Sequence, residues 1–372
     1  MIADRGPYSD ELEISVFGSG YGESIAIHYG QSRWLVVDSC RRGRTGQPAA
    51  TTYLQSLGVP EDGVRLIAAT HWHDDHIAGL SDVVHAYPQA RFACSAALQE
   101  QEFLTLIAVF EEGSRGLASG MTSGVRELYS ILDTLTERGD RPRWAIENRC
   151  LFHDTYADSD GAPVNVSVHS LSPGDEAVQR ALLHVGQLLP RDNEPTRRVP
   201  DSQPNHSSVV LWVALGDDVA LLGADMETTG EANTGWEQVH QSDARPLGVA
   251  SVFKVPHHGS ENGFHQGIWD DLIVTGPVAI VTPHNRLASP LPTPEEVTRI
   301  TNLAPRSYAT ATHRRRTPSY ERTVQKTLRE MGKRLEIIHP SFGQVRLRRQ
   351  LNAPDWSVEL GMDAVPLADI AS

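Results

Sequence analysis

Residues 71–76, with the sequence HWHDDH, concentrate side chains that bind metal ions. Three histidines and two aspartates occupy these six positions, directly after the apolar run RLIAAT. Imidazole and carboxylate ligands together suit zinc, with iron or manganese as alternatives, and the lack of cysteine ligands argues against a closed structural zinc site. A loop that leaves a strand can turn several such side chains toward one point, which a helix cannot. We therefore predict a metal site rather than a polar surface loop, with His71, His73, Asp75 and His76 as ligands.

The elements around this segment alternate between strand and helix. ELEISVFG, SIAIHYG and RWLVVDS read as strands, PAATTYLQSLGV as a helix and RLIAAT as a further strand. After the cluster, IAGLSDVVHAYP is typical of a helix and ARFACS of a strand. This alternation predicts an α/β layered fold.

Three later parts of the chain have patterns of their own. Residues 97–140 have helical spacing and are predicted to form an insertion or cap. SSVVLWVAL and VALLGAD, joined by GDD, predict a β-hairpin. The segment from Leu351 onward is acidic, contains prolines and shows no period, so we expect a loosely attached tail.

Composition and charge restrict the class of protein. The 372 residues carry a net charge of −14, which repels polyanions and membrane surfaces, so any contact with nucleic acid needs a local basic patch. The N-terminus has no signal-peptide pattern, and no segment approaches the ~20 apolar residues that span a membrane. We expect a soluble cytoplasmic protein.

Several segments together resemble the metallo-β-lactamase superfamily. HWHDDH matches its HxHxDH signature, and the order of elements around it is similar. The HHGS at 257–260, the NHSS at 205–208 and TPHNRLASPLP at 282–292 most resemble the metallo-β-lactamase domain of the bacterial competence DNA-uptake channel and its free-standing relatives. The resemblance covers about residues 11–350, is weakest over the helical insertion, and implies an αββα sandwich. We therefore predict one domain at residues 1–350, which includes the insertion at about 97–140, and a C-terminal tail at 351–372.

The resemblance also implies a set of ligands for two metal ions. His71 and His73 would bind the first ion, Asp75 and His76 the second, and Asp225 would bridge them. Either His257 or His258 would complete the second site, with His257 preferred as the first residue past the strand. His206 is either a further ligand of the first ion or a neighbour of the ligands, like Asn205.

Other residues have predicted supporting or substrate-binding roles. Asp38 would support the metal loop, and Asp74 either orients a ligand imidazole or is a solvated surface carboxylate. The predicted substrate contacts are Lys254, His284, Asn285, Arg314 and Arg315. The last two would meet the run 41-RRGR-44 in an anion-binding patch, or both runs are solvated loops.

Two metal ions predict a hydrolase. Metals held ~3.5–4 Å apart lower the pKa of a shared water and neutralise charge on the group being transferred. We expect a phosphodiesterase or nuclease acting on nucleic acid or nucleotides, with Asp75 and Asp225 as its catalytic residues and two divalent ions, zinc before manganese or iron, as cofactors. The alternatives are a lactonase or other small-ester hydrolase with the same site, and a metal-binding interaction module without turnover.

Overall fold

The computed structural model describes residues 5–42, 46–98, 123–188, 204–286, 289–313, 341–351 and 353–371. Within these ranges the chain forms two eight-stranded sheets. The first sheet contains β1 (Glu11–Gly18), β2 (Glu23–His28), β3 (Trp34–Val37), β4 (Val64–Ala69), β5 (Arg91–Ser95), β6 (Arg143–Ala145), β14 (Gly343–Gln350) and β15 (Ser357–Met362). The second contains β7 (Arg149–Ala157), β8 (Pro163–Ser170), β9 (Leu211–Leu215), β10 (Asp218–Leu222), β11 (Ala250–Lys254), β12 (Ile273–Val281), β13 (Arg306–Ala309) and β16 (Val365–Pro366).

The helices connect the strands. They are α1 (Ala49–Ser56), α2 (Asp74–Ile77), α3 (Leu80–Ala86), α4 (Ser123–Arg138), α5 (Asp175–Leu188), α6 (Gly235–Gln241), α7 (Gln266–Asp271) and α8 (Pro294–Leu303). Short 3-10 turns occur at Ala96–Leu98, Pro204–Ser207, His257–Gly259 and Leu367–Asp369. In the part of the chain that the structure covers, none of these helices has the length and apolar character to cross a membrane.

Apolar residues form three layers of core that define the architecture. The inner core joins residues of both sheets, such as Ile14 of the first and Val213 of the second. On the far side of the first sheet, α1, α3 and α4 pack over residues such as Ile67. On the far side of the second, α6, α7 and α8 pack over residues such as Phe253. The arrangement is helix, sheet, sheet, helix, which confirms the predicted α/β sandwich.

Strand direction determines where the chemically active residues lie. Strands β3 to β6 are parallel to one another, as are β10 to β13. The central strands are buried on both faces, so a strand such as β4 is a continuous apolar run rather than an alternating one. The HWHDDH segment follows the carboxyl end of β4, and Asp225, His258 and His284 follow those of β10, β11 and β12. Loops at this edge are where parallel sheets commonly carry function.

The segment after Leu351 differs from the predicted loose tail. Strand β15 pairs with β14 at the edge of the first sheet, and β16 pairs with β13 at the edge of the second. Trp356, Leu367 and Ile370 are buried. The local pattern has no period because strands at two different sheet edges and a 3-10 turn follow one another within a few residues, so the prediction of a tail is corrected.

The predicted helical insertion is described only in part. Residues 99–122 lie outside the described ranges. Helix α4 confirms helical structure at the end of this segment, with Val125, Leu128, Ile131 and Leu135 buried in the outer core beside α3. This helix belongs to the layer that covers the first sheet, between the parallel strands β5 and β6.

Candidate metal centre

The HWHDDH segment changes backbone conformation halfway along. After β4 the chain stays extended as far as His73 (φ −64°, ψ 144°), and α2 then makes a single helical turn. Alternate side chains of extended backbone share a side, so His71 and His73 lie together, with ring centroids 4.8 Å apart. The turn brings the ring of His76 to 4.3 Å from that of His71. The expected loop is therefore an extended segment followed by a one-turn helix.

Two groups of ligand atoms share one carboxylate. Asp75, His76, Asp225 and His258 form one group, and His71, His73 and Asp225 form the other. Asp225 Oδ1 lies 3.2 Å from His76 Nε2, while Oδ2 lies 3.4 Å from His258 Nε2 and 3.9 Å from His71 Nε2. His258 Nε2 is also 3.2 Å from Asp75 Oδ2. One carboxylate thus adjoins both groups.

Hydrogen bonds on the far side of the imidazoles fix their orientation. Asp38 Oδ2 lies 2.7 Å from Nδ1 of His76, and the Thr282 carbonyl 2.8 Å from Nδ1 of His258. Asp38 is itself held by the backbone N–H and the hydroxyl of Thr70. Contacts of this kind set the tautomer of a ligand histidine and leave Nε2 for the metal. The geometry agrees with the supporting role predicted for Asp38.

Ser208, in the NHSS segment, is a supporting residue that sequence reasoning missed. Its Oγ lies 3.3 Å from His71 Nδ1 and accepts a hydrogen bond of 3.4 Å from the backbone N–H of Asp225. One hydroxyl therefore contacts both groups of ligands. The feature of the sequence that could have identified Ser208 was its position within the NHSS segment.

The atoms of the cluster fit divalent metal ions. His76 Nε2 and Asp225 Oδ1 are buried and lie 3.2 Å apart, but within the described ranges neither atom makes a hydrogen bond of good geometry. Buried polar atoms left in this way are costly unless a ligand satisfies them. Imidazole nitrogens and carboxylate oxygens are the donors that zinc, manganese and iron accept.

Electrostatics agree with a site built for cations. Burial raises the pKa of Asp225, but His76 and His258 outweigh burial and hold the pKa well below its usual range. Burial lowers the pKa of His258, yet Asp225 and Asp75 outweigh it and raise the pKa to about 9. Positive charge on His258 is thus stabilised, whereas burial holds the pKa of His71 well below its usual range. Metal binding would release the proton that His258 otherwise carries.

Of the two histidines at 257 and 258, only the second lies in one of the two groups of possible ligands. Both His257 (φ 45°) and His258 (φ 58°) have left-handed backbone, and their side chains reach different surroundings. His257 Nδ1 lies 3.2 Å from Glu227 Oε1, outside both ligand groups, whereas His258 belongs to one of them. The preference for His257 is therefore corrected, because position after a strand does not determine direction in a left-handed turn.

The doublet supplies a matched pair of variants. We expect His258→Ala to bind about one metal equivalent fewer than the wild type, because it removes a buried nitrogen between Asp75 and Asp225. We expect His257→Ala to retain the wild-type content. Elemental analysis after metal loading measures both, with circular dichroism as the check on folding. Equal loss in the two variants would contradict the assignment.

The other residues predicted near the ligands lie around Glu227, which the sequence analysis did not identify. His206 Nε2 is 3.4 Å from Glu227 Oε2, with 40% of the histidine side chain exposed, and His206 belongs to neither ligand group. Asn205 donates to Glu227 Oε1 at 2.9 Å. The structure thus places His206 and Asn205 beside the ligands rather than among them. The available signal was the position of Glu227 two residues after Asp225 in GADME.

The residues predicted to contact substrate either line the pocket, make other contacts within the protein, or lie outside the described residues. His284 lines the pocket above the cluster, and Asn285 instead donates from its side chain to the Thr312 carbonyl at 2.8 Å. Lys254 is 1% exposed and pairs with buried Glu23, so its predicted contact with phosphate is corrected. Arg314 and Arg315 lie outside the described residues.

The described part of the 41-RRGR-44 run does not line the pocket. Arg41 Nη2 lies 2.7 Å from Asp82 Oδ2 and 3.6 Å from Glu127 Oε1, and the guanidinium of Arg42 lies over the ring of Phe342. These contacts favour the alternative of a loop held by surface interactions over the anion-binding patch.

The pocket over the cluster has a volume of about 280 Å³. Its lining includes ligand-group atoms, the predicted neighbour Asp74, and apolar and aromatic side chains. The lining residues are Tyr21, Trp72, His73, Asp74, Asp75, Asn205, Asp225, His257, His258, His284 and Leu291. A small reacting group can therefore reach the shared carboxylate from one side.

Comparison with known proteins gives one match to a family and several to individual proteins. Residues 19–136 match the family model of the metallo-beta-lactamase superfamily. Hydroxyacylglutathione hydrolase from Vibrio campbellii is 34% identical over 83 residues, which are 22% of this chain and 32% of that protein. The match thus spans about a third of the length of that relative.

Matches to solved structures are distant in sequence and have low TM-scores. The metallo-beta-lactamase fold protein YhfI from Bacillus subtilis is 12% identical, with a TM-score of 0.32, over 66% of this chain and 70% of that one. A metallo-beta-lactamase from Cronobacter sakazakii is 14% identical, with a TM-score of 0.29, over 61% and 68% of the two chains. The similarity to the metallo-beta-lactamase superfamily therefore lies in residues 19–136, which contain the whole HWHDDH segment.

Proposed function

We propose that this protein is a dinuclear metal-dependent hydrolase that cleaves phosphodiester bonds in nucleic acid or nucleotides. The observation that carries the proposal is the position of Asp225, whose carboxylate adjoins two groups of ligand atoms at the floor of an open pocket. When bound there, two divalent ions, with zinc proposed before manganese or iron, activate water and neutralise charge on the reacting group.

The two ions would be bound by different sets of residues that share Asp225. His71, His73 and Asp225 would bind one ion, and Asp75, His76, His258 and Asp225 the other. Asp38, Ser208 and the Thr282 carbonyl keep the imidazole rings in place. Asp74 lines the pocket beside the ligands, where it would act on a ligand imidazole or on substrate.

Two features support phosphodiesters as the substrate class. The HHGS and NHSS segments resemble the metallo-β-lactamase domain of the competence DNA-uptake channel, a system that handles DNA. Arg286 is exposed and lies over the ring of Tyr21, a residue of the pocket lining, so its cation lies next to the pocket, at its rim. Phosphodiester binding needs such a cation, especially in a chain whose net charge is −14.

A second candidate is hydrolysis of a small ester. The stretch of 34% identity to hydroxyacylglutathione hydrolase favours acyl transfer at the same metal site. A lactonase or related esterase would use the same ligands. Such a substrate has no requirement for the arginine at the rim.

A substrate panel tests the proposal. The protein, loaded with zinc or manganese, is assayed on bis(p-nitrophenyl) phosphate, a single-stranded oligonucleotide, p-nitrophenyl phosphate, a homoserine lactone and a hydroxyacylglutathione. We expect the two diesters to be hydrolysed with kcat/KM at least about tenfold above the others, because two metals stabilise in-line displacement at phosphorus. A chelator should abolish the reaction.

The other outcomes are equally decisive. Preference for the lactone or the hydroxyacylglutathione would replace the phosphodiesterase proposal by the esterase one. Two bound metals without turnover on any substrate would favour a metal-binding interaction module.

A further inference from the structure

A line of stacked side chains leads from the ligand cluster to the pocket rim. The ring of His284 lies 5.0 Å from that of His258, in contact with the cluster. On its other side, the His284 ring meets Tyr21 edge-on at 5.0 Å. The guanidinium carbon of Arg286 lies 3.4 Å from the centre of the Tyr21 ring. Arg286 is thereby fixed two rings away from a ligand histidine.

The charge of Arg286 is left available to a ligand. Its side chain is exposed, and it makes no ion pair with any Asp or Glu in the described ranges. Arg41, by contrast, pairs with Asp82 and Glu127. A guanidinium that stacks on an aromatic face keeps its N–H groups pointing outward in its own plane, where they can donate to an anion.

Backbone hydrogen bonds hold the loops on both sides of this stack in place. The Asn285 N–H donates to the Gly20 carbonyl at 2.7 Å, which ties the loop carrying Arg286 to the loop carrying Tyr21. Gly20 has φ +64°, and a Cβ there would approach Asn285 Nδ2 to 2.9 Å. His284 and Leu291 exchange two further backbone hydrogen bonds. The cation and its platform are thus held in position before any ligand arrives, which lowers the cost of binding.

We infer that Arg286, stacked on Tyr21, forms an anion subsite that binds a second phosphate group adjoining the diester cleaved at the metal centre. This inference rests on the proposed function and names the substrate more closely. The preferred substrate carries at least two phosphates, as an oligonucleotide or a terminally phosphorylated dinucleotide does. The guanidinium binds the outer phosphate by charge-assisted N–H···O bonds, while the ligand cluster receives the inner one.

Dinucleotides that differ only in a terminal phosphate test the subsite. The metal-loaded protein is assayed on TpT, pTpT and TpTp, and the ratio of KM for TpT to KM for each phosphorylated form is compared between variants. We expect the wild type to favour at least one phosphorylated form, and Arg286→Met to reduce that preference about tenfold, the effect of a hydrogen-bonded charge. Tyr21→Ala should reduce the preference in the same direction, and Tyr21→Phe should retain it.

A matched control and a binding measurement make the result specific. Arg299 also stacks on an aromatic ring, but that ring, Phe264, does not line the pocket as Tyr21 does, so Arg299→Met should keep the wild-type preference. Calorimetry gives a corresponding ratio without turnover, the Kd for thymidine 5′-monophosphate divided by the Kd for thymidine 3′,5′-bisphosphate. Arg286→Met should lower this ratio about tenfold.

The failures of the two proposals are distinguishable. If the wild type cleaves the dinucleotides but Arg286→Met leaves both ratios unchanged, the subsite is overturned and the phosphodiesterase stands. If the wild type cleaves none of them, the proposed function fails, and the calorimetric ratio still decides whether Arg286 binds the second phosphate.

Discussion

Asp225→Ala is expected to lower hydrolysis by about 10³-fold or more and to reduce metal content from two equivalents to one or fewer. The carboxylate lies 3.2 Å from His76 Nε2 and 3.4 Å from His258 Nε2, and it also belongs to the group with His71 and His73. Its loss therefore affects both ions. Charge stabilisation by the metals contributes several kcal/mol, which corresponds to a loss of this size.

The measurements are elemental analysis, thermal unfolding with and without metal, and kcat/KM on the best substrate of the panel. Wild-type protein should gain thermal stability on adding metal, since a ligand that binds only the folded state stabilises it, and Asp225→Ala should lose most of that gain. Asp218→Ala is the matched control, because Asp218 is a buried carboxylate of the same hairpin and pairs with Arg349 outside the cluster. If Asp225→Ala still binds two equivalents, the bridging role is wrong.

Lys254→Met is expected to lower the free energy of unfolding by about 3–5 kcal/mol, the cost of leaving one buried charge without its partner. Lys254 and Glu23 are each 1% exposed and form an ion pair beneath the ligand cluster. Glu23 also accepts a hydrogen bond of 2.8 Å from Thr282 Oγ1. The methionine has similar length but no charge, so Glu23 would remain buried and uncompensated.

The same substitution should weaken metal binding. Lys254 Nζ donates at 3.2 Å to the carbonyl of Ala224, whose left-handed backbone (φ 47°) leads directly into Asp225. Without that bond the turn presenting the shared carboxylate loses one of its restraints. We therefore expect a drop in metal affinity in competition assays with a chelator, toward the about 10–100-fold range typical of residues that orient ligands.

Two comparisons isolate the buried charge as the cause. In the double variant Glu23→Gln with Lys254→Met, both charges are absent, and we expect a smaller loss of stability than in Lys254→Met alone. Arg33→Met breaks a more exposed pair, with side chains 23% and 29% exposed, and should cost less than about 1 kcal/mol. Chemical denaturation measures all three. A loss in Lys254→Met no larger than that in Arg33→Met would show that the buried pair does not stabilise the fold.

Features that depend on neighbouring residues could be predicted from the amino-acid sequence. Apolar or alternating runs predict strands such as β1, β4 and β5, and the hairpin of β9 and β10 follows from two such runs and a two-residue turn. Most residues of the two ligand groups were predictable because they lie close together in sequence or directly after a strand. His71, His73, Asp75 and His76 lie within six positions, and Asp225 follows a strand whose apolar pattern is clear.

Features that depend on backbone handedness or on distant partners became visible only in the folded chain. His257 and His258 are identical in type and adjacent in sequence, and left-handed turns at both positions place only His258 among the ligands. Lys254 resembles a phosphate contact until Glu23, 231 positions earlier in the chain, is found to pair with it in the core. The acidic C-terminal segment has no local period, yet β15 and β16 complete the edges of two different sheets. In each case the outcome depends on a long-range contact or on a backbone angle. Neither produces a recognisable pattern in the neighbouring residues of the sequence.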